Sequence, residues 1–173
     1  ARPRKRREAA VANEPPARRT SRVPRPAPRA DVTSAVRSGP SERRVAAWAV
    51  AALVAAAPRS RATVSVLLCG DARMRRLNRE WRRIDRPTDV LSFPSGEPGF
   101  LGDVAIDLPY AARQARRRGH ALEREVQLLL AHGVLHLMGH DHEADDGTMF
   151  RLQRKVVRKA FGPGPDGVPE GEP

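Results

Sequence analysis

Between positions 132 and 142 the chain reads His132-Gly-Val-Leu-His136-Leu-Met-Gly-His140-Asp141-His142, which places four of its five histidines within eleven residues. No other feature so narrows what the chain can fold into. His132 and His136 stand four apart in an apolar run from Ala121 to Met138, which reads as the longest helix. Residues i and i+4 project from one helix face a turn apart, so the two imidazoles can share one metal ion. Gly139 permits a chain reversal, after which His142 can return as a third ligand. Three neutral nitrogens suit Zn²⁺ and leave a fourth position for water, the pattern of a catalytic zinc. Gly133 occupies the position of the general-base glutamate in the HExxH pattern of zinc proteases, so proteolysis of that kind lacks its proton acceptor; the glycine also allows close approach to the metal. Asp141, the carboxylate nearest in sequence, reads as an orienting partner for a ligand histidine.

The rest of the chain must hold that helix in place. Ser41 and Glu42 offer an N-cap and an acidic first turn to a helix whose stripe is Val45, Trp48, Val50, Leu53 and Val54 and which ends at Pro58. Ala62 to Cys69 alternates and is β-branched, so it reads as a strand. Asp71 is expected to cap a basic helix to about Trp81, with Met74, Leu77 and Trp81 inward. Val90–Phe93 and Leu101–Leu108 read as strands, Pro109 to Gly119 as a helix, and Asp145 to Phe161 as a last amphipathic helix. The expectation is an α+β single domain, a small mixed β-sheet packed with about five helices, with the zinc site at the end of the long central helix.

Composition sets the remaining bounds. A chain of 173 residues suits one domain, and 40% apolar residues with 4% aromatics imply a core of Ala, Val and Leu. The net charge of +12 points to a polyanionic partner. Residues 1–40 hold 11 Lys/Arg against 3 Asp/Glu, are rich in Pro and Ala, and show no periodicity; they are expected to be a disordered basic extension, with the folded domain spanning 41–162 and an acidic tail spanning 163–173. An Arg-rich transit peptide is the organellar alternative for that extension. Cys69, the single cysteine, excludes a disulfide framework and reads as a buried hydrophobe. No stretch reaches the ~20 apolar residues of a spanning helix, so no membrane partner is expected. His120 reads as a surface histidine, and Trp48 and Trp81 as core residues rather than base-stacking platforms.

HGVLHLMGHDH resembles the HGxLHLxGxDH signature of the YbeY-type endoribonuclease family. The likeness extends over roughly Val45 to Phe161. Leu77-Asn78, Glu80-Trp81-Arg82 and Asp85-Arg86-Pro87-Thr88-Asp89-Val90-Leu91-Ser92-Phe93-Pro94 are similar to the family's second block. Leu101-Gly102-Asp103-Val104-Ala105-Ile106 is similar to its GD-strand, Gly119-His120 and Leu122-Glu123-Arg124-Glu125 to the run into the histidine helix, and Met149 and Leu152 to its closing pattern. The resemblance implies a metal-dependent endoribonuclease that prefers single-stranded RNA and acts on ribosomal RNA precursors at the small subunit, in the bacterial cytoplasm. It implies His132, His136 and His142 as zinc ligands, with His132 and His136 catalytic, and Arg82 as the family's functional arginine. A guanidinium there can clamp a phosphate bidentately, with Arg79 and Arg86 as further substrate contacts along the basic stretch. The sequence departs from the family at His140, which stands in place of an aromatic residue and offers a fourth ligand; closing the fourth position would make the site structural. Two alternatives follow: a non-catalytic, zinc-stabilised ribosome-assembly factor, and a zinc hydrolase acting on peptides or amides.

Overall fold

The structure, a computed structural model, describes residues 27–140 and 147–163. Four strands and five helices follow one another as β1 (Arg29–Ser34), α1 (Glu42–Ala56), β2 (Thr63–Cys69), α2 (Asp71–Arg82), β3 (Val90–Pro94), β4 (Phe100–Asp107), α3 (Leu108–Arg118), α4 (Leu122–Leu137) and α5 (Thr148–Phe161). The fold is α+β, as the sequence predicts, and every expected element after residue 41 is present with its ends within a few residues. The sheet is mixed, in the order β1-β2-β4-β3. β1 and β4 flank β2 in parallel, and β3 pairs antiparallel with β4 as an edge strand. Among the described residues, no helix is long and apolar enough to cross a membrane.

β1 corrects the expectation of a disordered segment up to residue 40. Its backbone pairs with β2 from Arg29↔Thr63 to Ser34↔Leu68. The Ser34 amide donates to Glu42 Oε1 at 2.7 Å, which ties the strand to the start of α1. Only Ala30 and Val32 of the strand pack on the core, with Val36 just beyond it. Two small apolar side chains among arginines are too weak a period-two signal to read locally, and the hydrogen bonds that order them come from β2.

Alternation in the strands sends side chains to two different faces. Val64, Val66 and Leu68 of β2 and Val104 and Ile106 of β4 meet Val45 and Ala49 of α1 and Val126, Leu129 and Leu130 of α4. Cys69 of β2, Ala105 of β4 and Leu91 of β3 face the other way, against Met74 of α2, with Leu77 and Phe93 at the margin. α5 closes the first face by packing Met149, Val156 and Val157 on Leu53, Leu128, Ala131 and Leu135. Each such fully buried Val, Leu or Met contributes roughly 1.5–3 kcal/mol, so α4, buried along almost its whole length, is the pillar of the domain.

Two local expectations change. The inner face of α1 is Val45, Ala49, Ala52 and Leu53, while Val54 is exposed and Trp48 lies half-buried beneath the Arg44 guanidinium. The alanines, not the larger residues, let α1 approach α4. Ser41 does cap α1, accepting from the Arg44 amide. At α2 the N-cap is Gly70; Asp71 sits in the first turn and pairs with Arg113 of α3 instead of capping.

Candidate functional site

The site is built at the C-terminal end of α4. His132 is buried and His136 half-buried, and their Nε2 atoms converge to 3.0 Å with the rings edge-on, centroids 4.6 Å apart. His132 Nδ1 lies 2.9 Å from Oε1 of Gln153, itself buried on α5. A carboxamide oxygen only accepts, so this pairing puts the proton on Nδ1 and leaves Nε2, facing His136, as the lone-pair nitrogen. Two imidazoles on one tetrahedral zinc, with Zn–N near 2.1 Å, would stand about 3.4 Å apart at nitrogen. The observed pair is a few tenths of an ångström from that, with the orienting partner that ligand histidines carry, so the residues fit a metal ion.

His142 and Asp141 lie outside the described residues. Among the described residues no third His, Cys, Asp or Glu joins the pair. His140, which the sequence offers as a candidate fourth ligand, takes part in the helix end through its backbone. Its amide donates to the Leu135 carbonyl at 3.1 Å and that of Gly139 to His136 at 2.9 Å, which closes α4 in a Schellman turn. Gly139 has φ +87°, the left-handed conformation that ends the helix there.

Gly133 serves a different purpose from the one its sequence position suggests. A Cβ there would stand 2.8 and 3.1 Å from the Val104 methyls and 3.2 Å from Ser92 Oγ. What approaches Gly133 closely is the sheet, and Ser92 Oγ donates to its carbonyl at 3.3 Å. The absent side chain seats the histidine helix against β3 and β4.

Behind His132 lies a buried polar cluster. Glu125, two turns earlier on α4 and fully buried, accepts from Arg118 Nη1 at 2.8 Å, and its other oxygen lies 2.9 Å from His120 Nε2 without hydrogen-bond alignment. His120 is therefore not a surface residue: its side chain is buried against Glu125. Burial holds the Glu125 carboxyl above the ordinary glutamate range, and Arg118 opposes that rise. A recess of about 40 Å³, bounded by Asp89, Arg118, Glu125, His132 and Gln153, has room for a few waters. Asp89 accepts from the Val90 amide at 2.8 Å, from Thr88 Oγ1 at 3.2 Å and from Gln114 Nε2 at 3.0 Å, so the Thr88-Asp89 pair anchors β3 to α3. Gln153 and Glu125 are the residues a linear reading passes over. Glu125 carries a signal, seven residues before His132 on one helical face; Gln153 carries none, because only tertiary packing brings α5 to α4.

Arg79, Arg82 and Arg86 lie on the exposed end of α2 and the turn after it, α2 packing on the face of the sheet opposite α4. Arg83 ends the helix in the left-handed region at φ 61°. Asn78, buried, accepts through its carbonyl from the Ile84 amide and donates Nδ2 to the Arg86 carbonyl at 2.7 Å, so it shapes this turn. Arg79 stands 3.8 Å from Asp85, which Arg75 engages at both oxygens. Trp81 contradicts the expectation of a core residue: it is 65% exposed, its ring edge-on to Phe93 of β3 at 5.4 Å. From Trp81 the contacts run through Phe93 to Ser92 and Gly133, between the two histidines. Cys69 is buried as expected, its thiol pushed up to about 11 by burial and by Asp107.

Fold and site together define a class, a small α+β domain in which a buried helix on one face of the sheet brings two imidazoles to one point and an arginine-rich helix covers the other face. Residues 33–160 match the family model for endoribonuclease YbeY, and the chain belongs to that family. An endoribonuclease YbeY from Solibacter usitatus is 56% identical over 94 residues, covering 54% of this chain and 63% of that protein. One from an Anaeromyxobacter strain is 51% identical over 114 residues, 62% and 59% of the two chains, and one from Thermus thermophilus 49% over 102, 54% and 73%. The chain thus spans about six tenths of the length of the first two relatives. A Thermotoga maritima protein solved in solution is similar in fold, with a TM-score of 0.56 and 28% identity over 77% of this chain and 89% of that one.

Proposed function

We propose that this chain is a zinc-dependent endoribonuclease that cuts single-stranded RNA in ribosomal RNA maturation, in a bacterial cytoplasm. The observation that carries the reading is the convergence of His132 and His136 at Nε2, with His132 held by Gln153, in a chain whose relatives are named endoribonucleases. His132 and His136 would hold the ion, with His142 as the third ligand. A zinc ion so held supplies Lewis acidity at a phosphoryl oxygen and lowers the pKa of water. The protein's own part is positional. Gln153 keeps the His132 lone pair aimed, Gly133 fixes the helix against the sheet, and the helix end of α2 offers donors to a phosphate. Arg82 there can grip two phosphate oxygens and stabilise charge as it develops. Arg79 and Arg86 extend the same basic edge along an RNA backbone. The net charge of +12 draws the polyanion in and makes association salt-dependent.

The test is cleavage of a labelled single-stranded RNA by the purified chain, with bound zinc quantified on the same samples. Wild type should cut, and a chelator should stop it. His136→Ala should lose both zinc and activity. Arg82→Ala should retain zinc and lose activity by on the order of 10²–10³-fold. Equal residual cleavage in all three proteins would assign the activity to a contaminant and overturn the reading.

A further inference from the structure

Trp81 is the largest apolar side chain exposed on this molecule among the described residues, at 65%, and Ile84 beside it is 36% exposed. A tryptophan that serves only packing is normally well covered. This one is not loose: Phe93 meets its ring edge-on at 5.4 Å and 62°, which restricts its orientation while leaving most of the ring in water. Phe93 is in turn held by β3, which pairs with β4 and is pinned to α4 through Ser92 and Gly133. The exposed aromatic is thus braced against the same strand that seats the histidine helix.

Its surroundings are cationic. Arg79, Arg82, Arg83 and Arg86 are exposed within five residues of it, with Glu80 and Asp85 the acids among them. A rigid aromatic face set among guanidinium groups matches the chemistry of unpaired nucleotides, whose bases stack while the phosphates follow positive charge. A base inside a duplex has both faces covered by its neighbours, so the ligand must be single-stranded. An apolar protein partner would meet a ring of arginines whose charge it must desolvate. We infer that Trp81, braced by Phe93, is a stacking platform for an unpaired base of the RNA whose phosphates run along the end of α2. The inference rests on the RNA reading above and adds a base-contacting residue to it.

The test is the binding of a short, labelled, 2′-O-methylated single strand, checked on a gel to remain uncut, to the zinc-loaded chain. A second strand of equal charge carries abasic sites in place of its bases. Trp81→Ala should weaken binding of the first strand on the order of tenfold, Trp81→Phe by less, and neither should change binding of the abasic strand. Quenching of Trp81 emission by the first strand and not by the second should accompany binding, with Trp48, packed on the core, as an unquenched background. Equal losses on both strands would mean charge alone holds the RNA there, and unchanged binding in Trp81→Ala would assign the patch to another partner; either result overturns the inference. A wild type that cleaves RNA while Trp81→Ala matches it in binding overturns this inference alone. A wild type that binds neither strand overturns the RNA reading as well.

Discussion

The two faces of the sheet handle charge in opposite ways. Beneath α1, α4 and α5, the ionisable groups that reach the interior are few, and Glu125, Arg118 and His132 are each hydrogen-bonded there. On the face covered by α2, arginines crowd a surface that is mostly water, and their ion pairs are exposed. A metal site needs side chains held to a fraction of an ångström, and only a packed, low-dielectric surround locks them. A surface that attracts a polyanion needs many unburied charges and little precision. β3 joins the two, with Ser92 facing the histidine helix and Phe93 facing Trp81.

The same substitution on either face should break that contrast most visibly. Arg118→Ala leaves the carboxylate of Glu125 buried without its cation. It should lower unfolding free energy by about 2–4 kcal/mol in urea titration, and Arg118→Ala with Glu125→Gln should recover much of the loss. Full stability of the single variant would show that Glu125 does not need the pair.

Asp107 sharpens the comparison through pH. It is fully buried at the start of α3, where its Oδ1 accepts from the Tyr110 amide. Burial raises its carboxyl to about 6, against the downward pull of that amide and with Asp71 nearby adding to the rise. Below about pH 4 the group is neutral in folded and unfolded chains and costs nothing. As the pH rises from about 4 to 6 the unfolded chain releases the proton first, so stability falls. Asp107→Asn keeps the cap acceptor and removes the charge. Its stability relative to wild type should grow across that window by about 1–3 kcal/mol, and a pH-independent difference would locate the strain elsewhere. Asp71, exposed and bonded to Arg113, is shifted the other way, below the usual carboxylate range.

The smallest effect belongs to α2. Arg75 engages both Asp85 oxygens, at 2.8 and 2.7 Å, yet the pair lies in water. Arg75→Ala should leave the unfolding midpoint unchanged within error at physiological salt. A clear loss would mean that this face is more tightly built than its exposure indicates.

Among the described residues, the sequence alone determined the histidine helix, its end at Gly139, three of the four strands and all five helices, because those signals are periodic or local. Ser41 capping α1 and Pro109 opening α3 belong to the same short-range chemistry. What only the tertiary structure decided is who meets whom. β1 exists because β2 supplies its hydrogen bonds. Gln153 orients His132 because α5 packs across α4. Gly133 is small because Val104 and Ser92 press on it. His120 is buried because Glu125 is beneath it, and Trp81 stands in water because the sheet ends at β3, leaving no described residue to cover its outer side. A hydrophobic residue on a helix is expected to turn inward, but whether an inward side exists is set by the edge of the sheet, which no window of neighbouring residues encodes.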